Sequence, residues 1–377
     1  MEFGWTAEQR RRYEDVLAAT TDAFPPEDVH TFTRDKWLRL GKLGVLGASL
    51  PRRYGGGELS AVDTARVFEA AGKGCADTGL VFAAAAHLFA CAMPILDFGS
   101  DATRERLLPG LASGELVAAN AMTEADAGSD VGTLSTTATE TKGGFVLNGT
   151  KTFVSNGPVA DVYVTYAVTD PDAGNWGIST FVVDANTPGA KAGPPFHKLG
   201  LDGCPAGTVT FDDCFVPADA MLGERGQGSA IFQHSMGWER SCLFALYLGV
   251  QDRMIEQCVQ HARERRQFGH RLGDFQSVAN RIVDMKLRLE SARLLLYRAC
   301  WALDNDEAPA LHSALSKLAA SEGALASATD AVRLFGGRGY LRSEGIEAAL
   351  RDAMGSTIFS GTTDIQRRIV AMELGLS

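Results

Sequence analysis

The chain has 377 residues, of which 45% are hydrophobic and 22% are charged, so it is long enough for two or three domains with their own cores. Its formal net charge of −10 argues against a general nucleic-acid binder. Seven dispersed cysteines without CxxC spacing indicate reduced thiols in a cytoplasmic protein, with Cys242 and Cys258 expected in helix cores, and we expect no metal site.

Residues 1–115 are predicted to be helical. Alanine-rich apolar stretches at 61–73 and 80–97 indicate helices, and Pro94 is expected to break the second stretch. The longest apolar run, at about 80–92, is too short to span a bilayer, so no membrane segment is expected.

Residues 116–223 have the composition of strands. The segments 161–168, 177–184 and 207–217 are rich in β-branched and aromatic residues and are predicted strands. Asn148-Gly149 lies between two apolar segments and indicates a hairpin turn at that point.

Residues 224–377 are predicted to be helical again. Ile282, Met285, Leu289 and Leu296 recur at near-helical intervals, and the same pattern continues over 311–334. The sequence therefore predicts an α+β protein with a helical domain, a strand-rich domain and a second helical domain.

The loop 121–130, AMTEADAGSD, has the composition of a cofactor-binding segment. Gly128 allows a close backbone approach, and Thr123 and Ser129 offer hydroxyl groups beside free backbone N–H groups. Such a loop suits a polar, anionic cofactor. Taken alone, such a segment is usually only an ordinary polar loop, and the motifs further along the chain are what favour the cofactor.

Four motifs in order resemble the acyl-CoA dehydrogenase family. They are AMTEADAGSD (121–130), GTKTFVSNG (149–157), RRQFGHRLGDFQ (265–276) and the segment 333–370, which contains RLFGGRGYL and IFSGTTDIQRRIV. The resemblance runs from about residue 30 to the end of the chain. It implies an N-terminal helical domain, a β-barrel-like middle domain and a C-terminal four-helix bundle. It also implies FAD as cofactor and a homotetramer or homodimer.

The first two motifs are the expected contacts of the flavin ring, which needs an apolar wall and hydrogen-bond donors. Met122 and Thr123 come from the first motif, and Phe153 and Ser155 from the second. The resemblance implies that Thr123 and Ser155 bond to the ring and that Phe153 packs on it, where many relatives carry Trp. Ser129 is expected at the pyrophosphate, close to the substrate.

The third motif places a cation, an amide and an aromatic ring together as Arg265, Gln267 and Phe268, followed by Gln276. The resemblance implies that Arg265 reaches the FAD pyrophosphate of a neighbouring subunit, which suits the planar donors of arginine. A solvated basic patch is the simpler interpretation of the charges alone.

The fourth motif contains the glycine turn Gly336-Gly337. The resemblance implies that its backbone follows the adenine half of FAD, with Thr362 and Asp364 nearby. Relatives commonly carry Gln at the positions of Arg333 and Asp364, so the sequence departs from the family pattern there.

Dehydrogenation of a thioester needs a carboxylate to remove the α-proton and donors to stabilise the thioester oxygen. The family's usual Glu position is Ser360 here, and a serine hydroxyl is no such base. One branch of the family has its base directly before an Arg at the start of the C-terminal domain, a position that Glu239-Arg240 matches. We expect Glu239 to be the base, with Arg240 and Ser360 near the substrate. The simpler interpretation of Glu239 is a solvated residue at a helix start.

The resemblance implies α,β-dehydrogenation of an acyl thioester on CoA or on a carrier protein. The context WERSCLFA (238–245) is similar to a branch that acts on carrier-bound acyl groups in polyketide or peptide biosynthesis. Electron-transferring flavoprotein or dioxygen would accept the electrons. A flavin oxidase or monooxygenase and a catalytically silent FAD-binding protein are the alternatives.

Overall fold

The computed structural model describes residues 4–26, 31–305, 307 and 309–376. Its helices are α1 (Ala7–Ala23), α2 (Arg34–Lys42), α3 (Ala61–Gly74), α4 (Thr78–His87), α5 (Met93–Phe98), α6 (Asp101–Ser113), α7 (Gly228–Trp238), α8 (Ala245–Glu264), α9 (Gln276–Asp304), α10 (Pro309–Phe335), α11 (Ile346–Ser356) and α12 (Thr363–Glu373). Its strands are β1 (Ala118–Ala121), β2 (Thr137–Thr141), β3 (Gly144–Ser155), β4 (Val162–Val168), β5 (Ile178–Asp184), β6 (Ala190–Ala192), β7 (Ala206–Pro217), β8 (Met221–Leu222), β9 (Arg266–Gln267) and β10 (His270–Arg271).

The longest buried helical run of the N-terminal region crosses the position where a break was predicted. Helix α4 continues through a π-type segment, Leu88–Ala92, into α5 without interruption. The predicted break at Pro94 is wrong, because Pro94 lies in the first turn of α5, just after the wider π turn, where its missing N–H costs little.

This run, Thr78–Phe98, has 21 residues and is long and apolar enough to cross a bilayer, which the shorter sequence estimate did not anticipate. In the fold, 89% of its most apolar window is buried inside the protein. The run is therefore the core helix of the N-terminal region.

The middle of the chain forms one sheet in the order β6-β7-β3-β2-β4-β5-β8, with β1 parallel to β4. The three predicted strands are confirmed as β4, β5 and β7, and their inward side chains form a core of their own beside the larger helical core. This order confirms the α+β fold with two helical parts around a sheet.

The predicted hairpin at Asn148-Gly149 is wrong, because both residues lie inside β3. The turn that joins β2 to β3 is instead at Gly143, which has a φ of 86°. Asn148 accepts a hydrogen bond of 2.8 Å from the backbone N of Asp213 on β7. Gly149 lies at a register shift where a Cβ would be 2.4 Å from Oγ1 of Thr136. Glycine is therefore required here for a close approach across the sheet and not for a turn.

The C-terminal helices α8, α9 and α10 pack side by side, and α11 and α12 pack on α10. Helix α9 buries Met285, Leu289 and Leu296 against its neighbours, as their spacing predicted, and Ile282 is half-buried against the same core. The chain changes from helix to strand after Ser113 and back again before Gly228. The domain bounds 1–115, 116–223 and 224–377 stay a prediction.

Candidate active site

Glu239 lies at an irregularity in the first helix of the C-terminal region. Helix α7 ends at Trp238, and the backbone continues as a π-type segment, Glu239–Leu243, before α8 begins. Such a segment inserts one extra residue into the turn and changes the direction of the side chains around it. Glu239 and Arg240 are only 7% and 8% exposed, so neither is the solvated helix-start residue of the simpler interpretation.

The fold brings the two candidate base positions together. Ser360 lies in the loop between α11 and α12, and its Oγ donates a hydrogen bond of 2.5 Å to Oε2 of Glu239. Nε of Arg240 donates to the backbone O of the same serine at 3.0 Å. The three residues that the sequence placed near the substrate therefore form one connected group.

The pKa of Glu239 is raised from 4.5 to about 7. Burial is the main cause, and it outweighs the opposing hydrogen bond from Ser360 and the positive charge of Arg240. A carboxyl group with a pKa near neutral exists in both protonation states there, which suits a group that accepts and then releases a proton.

The surroundings of Glu239 are apolar. The ring of Trp238 stacks on Phe89 with centroids 6.2 Å apart, and residues 242–248 are fully buried. Cys91 lies near Glu239, and burial raises the pKa of its thiol well above the usual value, so the thiol stays neutral. Phe89 and Cys91 of the N-terminal region contribute to this low-dielectric setting, and no pattern in the sequence indicated their part in it.

The first motif is anchored by a buried ion pair that the sequence analysis missed. Nζ of Lys151 donates to Oε1 of Glu124 at 2.8 Å and to the backbone O of Met122 at 3.1 Å. Burial would raise the pKa of Glu124, but hydrogen bonds from Lys151, Ser135 and Thr136 lower it to about 2. Glu124 is therefore a structural carboxylate and no proton acceptor, as expected for a residue of the cofactor loop.

The outer part of this loop is open. Gly128 and Ser129 are exposed, and a Cβ at Gly128 would meet nothing within 4 Å. Thr123 is half-buried, and its backbone O accepts from the N of Thr152 at 2.8 Å, which ties the loop to β3. The loop thus presents hydroxyl and N–H groups to open space, which fits the phosphate part of FAD.

A cavity of about 260 Å³ lies between β3 and α11, with Phe153 and Ser155 on one side and Ile358 and Phe359 on the other. Phe153 is 70% exposed although it is a large aromatic residue, and its φ of 53° turns it out of the sheet. Exposed apolar side chains around a cleft mark a ligand site. A flat, mostly apolar ring such as that of FAD fits this cleft, with Ser155 as a hydrogen-bonding group.

The other wall of the cleft comes from residues that the sequence analysis did not single out. Phe82 of α4 packs on Phe359 with centroids 4.4 Å apart. The only available signal was that Phe359 precedes Ser360 in the fourth motif. A larger cavity of about 350 Å³, lined by Arg106, Asp161 and Asp184, contains none of the predicted site residues.

The third motif forms the exposed hairpin β9–β10, and none of its residues lines either of the two cavities described above. Arg265, Gln267 and Gln276 are exposed, and Phe268 is 90% exposed with a φ of 52°. An arginine and an almost fully exposed aromatic ring on a short hairpin are suited to bind a ligand or partner outside the chain. Their contact with FAD of a neighbouring subunit stays a prediction.

The glycine turn after α10 is also open. Gly336 has a φ of 61°, and a Cβ at Gly336 or Gly337 would meet nothing within 4 Å. The hydroxyl of Thr362 accepts from the N of Ile365 at 3.3 Å and so caps α12. Asp364 is exposed on the first turn of α12. The predicted roles of these four residues at the adenine end of FAD stay predictions.

Comparison with known proteins gives matches along almost the whole chain. Sequence profiles of the acyl-CoA dehydrogenase N-terminal, middle and C-terminal domains match residues 6–115, 119–214 and 226–375. An L-prolyl-[peptidyl-carrier protein] dehydrogenase from Pseudomonas fluorescens is 52% identical over 380 residues, with 100% of both chains covered.

Two solved structures are similar over the same length. The structure of PigA with FAD and proline is 42% identical, with a TM-score of 0.97 and 100% of both chains covered. The structure of the prolyl acyl carrier protein oxidase AnaB is 39% identical, with a TM-score of 0.96, and covers 99% of this chain and 100% of that chain.

Proposed function

The chain belongs to the acyl-CoA dehydrogenase family, and we propose that it oxidises an L-prolyl group held as a thioester on a peptidyl carrier protein. It is an FAD-dependent oxidoreductase that acts on the CH–CH bond of an acyl thioester carried by CoA or a carrier protein. The prolyl group is supported by the 52% identity over the full length to a prolyl-carrier-protein dehydrogenase and by the similarity to PigA with FAD and proline.

The observation that carries the mechanism is a buried carboxyl group with a pKa of about 7 that accepts a hydrogen bond from Ser360, whose neighbour Phe359 lines the aromatic cleft. We assign Glu239 as the base that takes the proton from Cα of the prolyl ring. FAD, when bound, supplies the acceptor for the hydride that leaves Cβ, so that the Cα–Cβ bond becomes a double bond. Water is excluded by Trp238 and Phe89, which keeps the carboxylate reactive.

The remaining proposed residues would bind FAD, beginning with those that line the cleft. Phe153 would pack on the flavin ring, and Thr123, Ser155 and the backbone at Met122 would bond to its polar edge. Gly128 and Ser129 would hold the pyrophosphate. Arg265, Gln267, Phe268 and Gln276 would complete the site from a second copy of the chain, and Gly336, Gly337, Thr362 and Asp364 would line the adenine end.

The assignment of Glu239 is tested by Glu239→Gln, which keeps the shape of the side chain but cannot take a proton. We expect the rate of anaerobic FAD bleaching by L-prolyl carrier protein to fall by about a thousandfold, since a catalytic base typically contributes 10²- to 10⁴-fold. Glu105→Gln, on the exposed face of α6, is the matched control. Near-normal bleaching in Glu239→Gln would overturn the assignment.

The substrate is tested with matched thioesters. L-Prolyl and butyryl groups are offered both on a peptidyl carrier protein and on CoA, and the rate of FAD reduction is measured for each. We expect the L-prolyl carrier protein to reduce FAD fastest. Equal rates for all four thioesters would defeat both the prolyl and the carrier-protein assignments.

The electron acceptor separates a dehydrogenase from an oxidase. We propose electron-transferring flavoprotein as the acceptor. The similarity to the AnaB oxidase favours dioxygen as a second candidate, and with it a flavin oxidase or monooxygenase. Oxygen uptake with stoichiometric peroxide during prolyl oxidation would support the oxidase, and a hydroxylated product would support the monooxygenase.

The exposed face of α9 supports a homo-oligomer. Val283, Leu287 and Leu294 are 63%, 65% and 51% exposed, and their spacing puts them on one side of the helix. Such an apolar stripe is typical of an interface between chains. We propose a homotetramer or homodimer that uses this face. The seven buried free thiols are compatible with a cytoplasmic location.

A further inference from the structure

Ser360 is held in an unusual backbone conformation. Its φ is 54°, in the left-handed region that is unfavourable for a residue with a Cβ atom. Such a conformation persists when the surroundings impose it. Here the backbone O of Ser360 accepts hydrogen bonds from Nε of Arg240 at 3.0 Å and from Nε2 of Gln366 at 3.2 Å.

These contacts determine where the serine hydroxyl points. Gln366 is fully buried and also donates to the backbone O of Gly361 at 3.1 Å. The backbone carbonyl groups of both Ser360 and Gly361 are therefore held in place. With the backbone fixed, Oγ of Ser360 lies 2.5 Å from Oε2 of Glu239 and donates its only proton to it.

We propose that Ser360 is a positioning residue for Glu239. It holds Oε2 through the hydroxyl hydrogen bond, sets the orientation of the carboxylate, and leaves Oε1 to receive the proton from substrate. This inference rests on the proposed role of Glu239 as the base. Arg240 acts with Ser360, because it fixes the serine backbone while its charge lies beside the carboxylate.

The same contact controls the proton affinity of Glu239. A hydrogen bond to the ionised form favours that form, and the bond from Ser360 and the charge of Arg240 both oppose the effect of burial. The other titratable groups around the site are Cys91 and Tyr166, whose pKa values are raised by burial so that both are neutral near pH 7. On the far side of Arg240 lies Lys317 of α10, whose pKa burial lowers to about 8.

The test uses two substitutions that both remove the hydroxyl. Ser360→Ala keeps the unfavourable left-handed backbone, and Ser360→Gly relieves it. The rate of anaerobic FAD reduction by L-prolyl carrier protein is measured against pH. We expect the apparent pKa of the base to rise by about one unit in both variants, because a hydrogen bond to an ionised group contributes roughly that much. The rate at pH 7 then falls about fivefold, approaches a tenfold loss at lower pH, and recovers at higher pH.

A second readout does not depend on turnover. The infrared band of the protonated carboxyl group, assigned as the difference between wild type and Glu239→Gln, is titrated with pH. In Ser360→Ala and Ser360→Gly we expect its midpoint to move upward and its frequency to change, because the carboxyl group has lost a partner. Ser356→Ala, a buried serine of α11 whose hydroxyl bonds to Ala353, is the matched control and leaves the band unchanged.

The outcomes separate this inference from the function on which it rests. An unchanged pH profile and an unchanged band in both Ser360 variants, with Glu239→Gln inactive, would overturn the role of Ser360 alone. A defect in Ser360→Ala that is absent from Ser360→Gly would assign the effect to the backbone and also overturn it. Near-normal reduction in Glu239→Gln would instead remove the base assignment itself.

Discussion

The hydroxyl of Ser360 donates a hydrogen bond of 2.5 Å to the carboxylate of Glu239, although 121 positions separate the two residues in the chain. The family resemblance puts the usual base at the first position, and this chain has its carboxylate at the second. Both positions face the same point in space. We therefore propose that a base on either element reaches the same atom of the substrate, so that the carboxylate can lie on the π-type segment after α7.

The stability of the protein is expected to fall as pH rises because of Glu239. The pKa of Glu239 is about 7 in the folded protein against an ordinary 4.5, so the folded state binds the proton more tightly than the unfolded state. The stabilisation that comes from this proton is complete below pH 4.5 and is lost as pH rises through about 7. The loss is on the order of 3 kcal/mol. The glutamine side chain of Glu239→Gln is neutral at every pH, so this variant does not lose unfolding free energy in this way as pH rises. We expect the variant to gain in unfolding free energy relative to wild type between about pH 5 and pH 8. Denaturant titrations that give the same difference at every pH would contradict this.

Breaking the buried pair under the cofactor loop is expected to destabilise the protein more than removing both charges. Lys151→Met leaves Glu124 buried without its cation, which costs about 3–5 kcal/mol of unfolding free energy. The double variant Lys151→Met with Glu124→Gln should recover part of that loss, because no charge is then buried unpaired. Urea titration of the three proteins measures it. Equal stability of the single and double variants would show that the pair is not coupled.

Phe153→Ala is expected to weaken FAD binding about tenfold, since the exposed ring would lose its stacking on the flavin. FAD titration of the apoprotein, followed by flavin fluorescence, measures the change. Trp176→Ala is the control, because Trp176 is 79% exposed and lies outside the cleft. An unchanged affinity in Phe153→Ala would place the flavin elsewhere.

Leu287→Glu is expected to dissociate the oligomer, because it introduces a charge into the apolar face of α9. Light scattering behind size exclusion measures the mass. The same change at Met372, an exposed residue of α12, is the control and should leave the mass unchanged. If Arg265 and Phe268 bind FAD of a neighbouring subunit, the dissociated variant should also lose affinity for FAD. A monomeric wild-type protein would remove the oligomer proposal.

Local patterns in the sequence were sufficient for the family, the cofactor and the order of domains. The motifs at 121–130 and 149–157 and the strands β4, β5 and β7 depend on neighbouring residues, whose chemistry and alternation are visible along the chain. Where the outcome depended on distant residues, local signals failed. Asn148-Gly149 has the composition of a turn, but the side chain of Thr136 and the strand β7 keep it in a sheet.

The sequence by itself predicted Glu239 as the base, because Ser360 occupies the position at which the family resemblance places the usual glutamate. Only the tertiary structure decided what that carboxylate is like. Its burial comes from Phe89 and Cys91 of the N-terminal region as well as from its own helix, and its hydrogen bond comes from a loop 121 positions away. Burial and hydrogen bonding set proton affinity, and both are properties of packing between distant segments that no local pattern encodes.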